Sequence, residues 1–249
     1  MNEPLVTIAV TPREVFSQTR DSLEALYQRT SASFELVYVD GGSPPEVRGY
    51  LEEAARRYGF TLLRSDDYLT PNQARNLALK HVRTPYVAFV DNDVLVAEGW
   101  LQALLDCMRD TGAWAVGPIY FEHLPEENRV HMAGGLCRIE RDERGRRYHV
   151  ENHHCQHQLF STLEEKPRRG ETELIEFHTV LVDRAAFEHT GPLDEGLLNH
   201  SEHADFCLSI RQAGGRIYLE PAARITYVPP RRLANDDREF FEIRWSEAW

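Results

Sequence analysis

Cysteine is scarce in this sequence, and its few copies are scattered. The 249 residues contain four cysteines, at Cys107, Cys137, Cys155 and Cys207, and no two of them form a C-x-x-C pair. This usage argues against a disulfide framework and against a cysteine-based zinc site. Free thiols in a reducing compartment fit the pattern better, so the sequence favours a cytoplasmic protein.

Long apolar runs are lacking as well. No segment approaches the roughly 18 consecutive apolar residues of a membrane-spanning helix. Residues 1–4 lack the basic and apolar regions that open a secretory signal. We therefore expect no transmembrane segment, although a peripheral association with a membrane surface stays open.

Positive charge is in deficit. Lysine and arginine number 28 against 40 aspartates and glutamates, which gives a formal net charge of −12 at pH 7. Because no long basic stripe offsets this acidity, we expect no nucleic-acid partner. A nucleotide ligand is still compatible with the composition, since a metal ion and local arginines can balance its phosphates.

What the chain does have is a regular alternation of strand and helix patterns over its first hundred residues. Apolar strand patterns lie at 5–10, 34–39, 60–63 and 86–90. Helical patterns lie between them, at 15–30, 46–58 and 71–81. This order predicts an α/β fold with a mostly parallel central sheet flanked by helices.

Polar residues follow three of the predicted strands, at Thr11, Asp40 and Asp91. Ligands of parallel sheets bind at the carboxyl ends of the strands, so these positions should converge on one edge. Asp91 and Asp93 flank Asn92 at the end of a buried strand, where paired carboxylates are costly without a cation. A divalent metal, Mn²⁺ or Mg²⁺, carrying a diphosphate would satisfy both; an acidic turn is the alternative.

In this order and spacing, the motifs resemble the family 2 glycosyltransferases of the GT-A fold. The first-half segments that carry the resemblance are VTIAVTPRE, ELVYVDGGSPPE, NQARNLAL and PYVAFVDNDVLVAEGWL. The second-half segment is FHTVLVDRAAFEHTGPLDEGLLNHSEHADFCLSIRQAGGRIYLEPAARITYV. The resemblance implies one domain at 1–228, with a nucleotide-sugar-binding half at 1–98 and an acceptor and catalytic half at 99–228. Residues 229–249 are predicted to form a helical tail.

The resemblance also implies a donor site. Asp40 matches the acid that bonds the nucleobase edge, and Arg75 matches the arginine near the base and phosphates. Asp91 matches the acid near the ribose, and Asp93 matches the metal ligand. The further donor contacts implied are Thr11, Asn76 and Asn92. A turn-forming role for Asp40 and a surface-helix role for Arg75 are the alternatives.

Two departures from the family pattern affect this expectation. The turn after the first strand reads Thr-Pro-Arg-Glu at 11–14, where relatives commonly have Pro-Thr-Tyr-Asn. Many relatives carry a metal-binding histidine after the last strand, whereas this chain has Tyr-Val-Pro at 227–229. The third protein ligand of the metal is therefore absent or comes from elsewhere.

The catalytic base is expected in the motif Glu-His-Ala-Asp at 202–205. Two alignments with the family's acidic pattern stay open, and they place the base on Glu202 or on His203. We favour Glu202, with Asp205 on the same helical face as an orienting group. The alternative is an N-terminal capping pattern after Asn199 and Ser201.

The middle of the chain is less regular. His178 falls on an apolar strand pattern, which favours a core histidine over an acceptor contact. The His-rich segment at 152–157 suggests a metal site, but no second ligand cluster has matching spacing, so a polar loop or hairpin over the acceptor groove is favoured. Charges alternating around Gly145 predict an exposed hairpin at 138–147.

Together these motifs imply a metal-dependent, inverting transfer of a sugar from a nucleoside diphosphate to a hydroxyl of a saccharide or glycoconjugate. An acid at Asp40 that accepts from a ring N–H favours uracil or thymine. A nucleotidyltransferase of a sugar phosphate would be expected to carry a glycine-rich, basic phosphate loop after the first strand. A non-catalytic sugar-nucleotide-binding module would need no acid at 202–205. A homodimer is also open.

Overall fold

The computed structural model of the protein describes residues 3–13, 15–197 and 201–228, so the predicted tail at 229–249 lies outside the described residues. The first half comprises β1 (Val6–Thr11), α1 (Thr19–Arg29), β2 (Phe34–Gly41), α2 (Pro45–Tyr58), β3 (Thr61–Ser65), α3 (Pro71–Leu79), β4 (Tyr86–Asp91) and β5 (Val94–Val96). The second half comprises α4 (Trp100–Thr111), β6 (Ala115–Glu122), β7 (Arg129–Met132), β8 (Gly135–Arg141), β9 (Arg147–His153), β10 (Gly170–Glu171), β11 (Thr179–Asp183), α5 (Ala186–Thr190), α6 (Glu202–Gln212) and β12 (Ile217–Tyr227).

Every strand and helix predicted in the first hundred residues is present, with small shifts at the ends. The first helix begins at Thr19 because the residues before it, Phe16–Gln18, form a 3-10 turn. The third helix starts where predicted: the Thr70 backbone N–H donates to Gln73 Oε1 at 3.0 Å, and Pro71 occupies the first turn. It ends at Leu79, two residues before the apolar pattern does.

One ten-stranded sheet forms the centre of the protein, in the order β10-β12-β6-β11-β4-β1-β2-β3, with β5 beside β12 and β7 beside β6. The β4–β1, β1–β2 and β2–β3 pairings are parallel, and so is the pairing of β6 with β12. The prediction of a mostly parallel α/β sheet is therefore confirmed. Strand β11 runs antiparallel between β4 and β6, so both halves of the chain share this sheet. The division after residue 98 stays a prediction.

The ends of β1 and β4 meet at one edge of the sheet, as expected. Thr11 lies opposite Asp91 in the parallel register, and the Asn92 backbone N–H donates to the Thr11 carbonyl at 3.0 Å. The Val228 backbone N–H donates to the Asp93 carbonyl at 3.1 Å, which brings the end of β12 to the same place. The edge is thus assembled from both termini of the described domain.

A separate two-stranded sheet, β8–β9, stands beside the main one. It contains the hairpin predicted around Gly145, whose φ of 74° suits the turn. Side chains alternate along a strand, so His149, Glu151 and His153 lie on one face of β9. Of the His-rich segment at 152–157, Asn152 and His153 end β9 and residues 154–157 form a turn, so both the hairpin and a loop contribute to it.

Helix α4 packs its apolar face on the sheet, with Trp100, Leu101 and Leu104 buried. Its amphipathic pattern leaves the other face to solvent, which is the ordinary arrangement for a surface helix of an α/β domain. Among the residues that the structure describes, no helix combines the length and apolar character needed to cross a membrane.

Candidate active site

Asp91, at the end of β4, contacts several charged side chains at the edge of the sheet. Its carboxylate is buried, and it accepts hydrogen bonds from Arg75 Nη2 at 3.2 Å and from His178 Nδ1 at 3.0 Å. Burial alone would raise the pKa of Asp91, but the bond from His178 and the charge of Arg75 outweigh it and hold the pKa below its ordinary value. Asp91 is therefore a fixed anion that organises the cations around it.

Arg75 connects the donor edge to the predicted base. Its side chain is fully buried, and its guanidinium lies 4.0 Å from the centre of the Phe177 ring. Besides Asp91, it donates to Asn72 Oδ1 at 3.2 Å, and its Nη1 lies 3.9 Å from Glu202 Oε1. The surface-helix alternative for Arg75 is excluded by this burial.

Replacing Arg75 by methionine should destabilise the protein by about 3–5 kcal/mol, because it leaves two buried carboxylates without their shared cation. Urea unfolding followed by circular dichroism measures this loss. Arg57→Met is the matched control: Arg57 is 66% exposed and lies 3.7 Å from Glu24, so its loss should cost less than about 1 kcal/mol. Equal effects of the two substitutions would contradict this account of Arg75.

Glu202 begins α6 and is buried beside two arginines. Arg13 Nη1 donates to Glu202 Oε1 at 2.5 Å. The other oxygen, Oε2, is also buried but has no hydrogen-bond partner among the described residues. Burial would raise the pKa of Glu202, but the charges of Arg13 and Arg75 lower it below its ordinary value, so this side chain is an anion at neutral pH.

The neighbours of Glu202 in the motif face different surroundings. His203 Nε2 lies 3.2 Å from Glu151 Oε1; although burial opposes it, this bond raises the pKa of His203 above its ordinary value. Asp205 is largely exposed. Its pKa is raised by the partial burial of its side chain and by the charge of Asp194. The structure therefore does not bring Asp205 to Glu202 as the helical spacing suggested. Of the two residues in the capping alternative, Ser201 precedes the helix without a side-chain capping bond, and Asn199 lies outside the described residues.

Asp40 lies at the end of β2 and is buried. Its Oδ1 accepts from the Ser43 backbone N–H at 3.0 Å, and its Oδ2 accepts from the Ser43 hydroxyl at 2.9 Å and from Arg64 at 2.5 Å. The turn-forming role of Asp40 is therefore present, and it does not exclude a ligand role, because a carboxylate has about four acceptor positions. The contact of Asp40 with a base stays a prediction.

Two of the predicted donor contacts hold the protein's own backbone. Asn76 exchanges hydrogen bonds with the backbone of Leu193, at 2.9 and 3.0 Å, and donates to Glu195. The side-chain oxygen of Asn92 accepts from the Arg13 backbone N–H at 2.7 Å, which fixes the segment after β1. Both amides therefore position loops around the edge, whereas the buried Thr11 hydroxyl has no hydrogen-bond partner among the described residues.

Asp93 is fully buried next to Asp91 at this edge. Carboxylate oxygens are the donors that Mg²⁺ and Mn²⁺ prefer, which suits Asp93 as a ligand. Both oxygens of Asp91 already accept hydrogen bonds from Arg75 and His178, so its part in a metal site stays a prediction. Imidazole groups also lie close by. Within the described part of the chain, two groups have three ligand atoms within 4.8 Å of one another: His131, Glu176 and His178, and Glu151, His153 and His203.

His178 is buried one residue before β11. Its Nδ1 lies 3.0 Å from Asp91 Oδ2 and its Nε2 lies 3.1 Å from Glu176 Oε2, while its ring stacks on Tyr227 with centroids 4.0 Å apart. Burial would lower the pKa of His178, but the two carboxylates raise it to about 10. Both ring nitrogens of His178 thus have a carboxylate partner, as expected of a core histidine. The residue nevertheless lies at the polar edge of the sheet, beside Asp91.

Several residues of this arrangement were missed in the sequence. Arg13 was noted only as a departure from the family turn, and Glu176 and His131 carried no pattern of their own. His153 lies in the His-rich segment that the sequence analysis singled out, whereas Glu151 was missed. Glu151 had a usable signal, since His-x-Glu-x-His at 149–153 in a strand puts all three side chains on one face. Their partner His203 lies 50 residues further on, so only the fold shows the pairing.

Solved structures of other proteins share this fold. The crystal structure of GalNAc-T7 with UDP, GalNAc and Mn²⁺ matches with a TM-score of 0.66 at 17% sequence identity, covering 90% of this chain and 43% of that chain. The crystal structure of S. aureus TarS matches with a TM-score of 0.60 at 16% identity, covering 98% of this chain and 39% of that chain. These neighbours are GT-A glycosyltransferases, and the predicted GT-A fold is confirmed.

The family follows from the sequence match. The model of glycosyl transferase family 2 matches residues 8–189, which is more than half of the chain. The chain therefore belongs to glycosyl transferase family 2, and the family predicted from its motifs is confirmed.

Curated relatives are more distant. The succinoglycan biosynthesis protein ExoM of Rhizobium meliloti is 29% identical over 124 residues, which is 49% of this chain and 40% of that protein. The pre-mycofactocin glycosyltransferase of Mycobacterium tuberculosis is 28% identical over 157 residues, which is 63% of this chain and 30% of that protein. The matched part is thus well under half the length of either relative.

Proposed function

We propose that this domain transfers a sugar from a nucleoside-diphosphate sugar to a hydroxyl of a saccharide or glycoconjugate, with inversion and with a divalent metal. The observation that carries the proposal is Glu202, an anion with one buried oxygen that has no hydrogen-bond partner among the described residues. Arg75 joins it to the donor strand end at Asp91. Family membership and the UDP and Mn²⁺ of the GalNAc-T7 neighbour support the donor class.

Inverting transfer requires a base on the acceptor side of the sugar. The base removes the proton of the acceptor hydroxyl while that oxygen attacks the anomeric carbon and the diphosphate leaves from the opposite face. Glu202 Oε2 is the atom that accepts the proton, and Arg13 holds the other oxygen in place. His203 is a weaker candidate, because its Nε2 already forms a hydrogen bond with Glu151.

The donor occupies the edge formed by β1, β2 and β4. Asp40 accepts from the base, Asp91 and Arg75 lie beside the ribose and phosphates, and Asp93 with Asp91 would hold the metal. When bound, a divalent ion neutralises charge on the leaving diphosphate. The buried Thr11 hydroxyl, at the end of β1, offers a further hydrogen bond to the donor.

Replacing Asp40 by alanine should weaken UDP or dTDP binding about tenfold or more, because one buried bond to the base edge is worth about 1–3 kcal/mol. Calorimetric titration with UDP, dTDP and ADP measures it. Ser43→Ala is the control: it removes one partner of the same carboxylate and leaves the acid in place. If ADP binds the unaltered protein as tightly as UDP and dTDP do, the assignment of Asp40 is wrong.

Release of free nucleoside diphosphate from a sugar nucleotide, in the presence of Mn²⁺ and a set of saccharide acceptors, tests the function as a whole. Acceptor-dependent release of the diphosphate supports transfer. Release of pyrophosphate from a nucleoside triphosphate and a sugar phosphate would instead show a nucleotidyltransferase. Tight binding without turnover under any of these conditions would show a binding module.

A further inference from the structure

The face of the β8–β9 hairpin that meets α6 carries a compact group of ligand atoms outside the donor site. Glu151 Oε1 lies 3.0 Å from His153 Nε2 and 3.2 Å from His203 Nε2, and all three atoms lie within 4.8 Å of one another. Each of the two histidines therefore directs its Nε2 at the same carboxylate oxygen, Oε1 of Glu151. We propose that Glu151, His153 and His203 form a binding site for a transition-metal ion of the zinc class.

The spacing suits a small ion. With ligand bonds of about 2.1 Å, the ligand atoms of a tetrahedral zinc site are about 3.4 Å apart. The two measured contacts are slightly shorter, so a modest outward movement of the side chains makes room for the ion. Three protein ligands leave the fourth position for water, as in zinc sites that are open to solvent.

The surroundings provide the outer support that metal-bound histidines usually have. His153 Nδ1 is buried and has no hydrogen-bond partner among the described residues, but it lies 3.5 Å from Glu176 Oε1. A carboxylate behind the second ring nitrogen fixes the orientation and tautomer of a ligating histidine.

The site is accessible and differs from the donor edge in chemistry. The side chains of His153, His203 and Glu151 are 13%, 18% and 28% exposed, so an ion can reach them from solvent. Two imidazoles favour zinc, nickel or copper, whereas the carboxylates of Asp91 and Asp93 favour Mg²⁺ or Mn²⁺. The ion would tie the hairpin to the start of α6, next to Glu202. This inference does not depend on the proposed transfer reaction.

The test is zinc binding to protein first freed of metal by dialysis against a chelator. Competition with a chromogenic zinc chelator should show one tight site in the unaltered protein. His153→Asn and Glu151→Gln should each weaken it about a hundredfold or more, since a direct ligand is worth at least as much as the outer partners, which contribute about 10- to 100-fold. His154→Asn is the matched control, because His154 is exposed, adjacent in sequence and outside the group. This control should bind zinc as tightly as the unaltered protein.

Two further variants separate this site from its neighbours. Zinc binding should survive in Asp93→Ala and in His131→Asn, which alter the donor edge and the other histidine group. Zinc should also raise the melting temperature of the unaltered protein but not that of His153→Asn, because an ion that binds only the folded state stabilises it. Absence of a tight zinc site, or loss of binding in Asp93→Ala or His131→Asn but not in His153→Asn, would overturn the proposal.

Discussion

Glu202→Gln should lower kcat by about a hundred- to ten-thousandfold while the affinity for the nucleotide stays close to that of the unaltered protein. The substitution keeps the size of the side chain and removes its ability to take a proton, which is the contribution of a general base. Arg13 and Arg75 each lose the charge of Glu202 but keep Asp91 as an anionic neighbour, so the donor edge is unchanged. Turnover and calorimetric affinity for UDP, measured on the same preparation, separate the two effects.

Two other substitutions in α6 serve as comparisons. Asp205→Asn alters an exposed acid one turn away and should keep near-normal turnover. His203→Asn tests the alternative alignment of the motif. If Glu202→Gln retains near-normal turnover while His203→Asn loses a hundredfold or more, the base is His203 and the assignment of Glu202 is wrong.

Asp93→Ala should abolish the enhancement of nucleotide binding by Mn²⁺ and lower turnover about a hundredfold or more. Neutralising a leaving diphosphate contributes several kcal/mol to the transition state, and each 1.36 kcal/mol corresponds to about a tenfold change in rate. Calorimetric titration of UDP with and without Mn²⁺ measures the coupling. An unchanged Mn²⁺ effect in this variant would remove Asp93 from the metal site.

Asp106→Ala is the control for that experiment. Asp106 lies on α4 and forms a surface ion pair with Arg109 at 2.6 Å, which is worth little in water. The Asp106→Ala substitution removes the same charge from the protein as Asp93→Ala does, but it leaves the sheet edge unaltered. Any loss of nucleotide affinity that it shares with Asp93→Ala would come from net charge rather than from a metal ligand.

Local pattern was enough to predict much of the fold. The strand that ends at Asp91 is a continuous apolar run, and the helix that begins at Pro71 carries its own cap, so both elements depend on neighbours in sequence. The rule that parallel strands present their carboxyl ends at one edge then places Thr11 beside Asp91, which is what the register shows.

Burial and long-range pairing could not be obtained in this way. The sequence motifs suggest Asn76 and Asn92 as donor contacts. In the structure their side-chain amides bind the backbone of segments that are far from them in sequence, at Leu193 and Arg13. Asp205 shares a helical spacing with Glu202, yet one is exposed and the other buried, because only the packing of α6 decides which side faces the sheet.

The sequence by itself determined the strand–helix order, the family and the acidic motifs, because these depend on residue type and local spacing. The tertiary structure decided which charges face one another. Arg13 meets Glu202 across 189 positions, and Glu151 meets His203 across 52. These contacts exist because the sheet and the hairpin bring distant segments together, and the energy of a buried charge depends on the partner that the fold supplies.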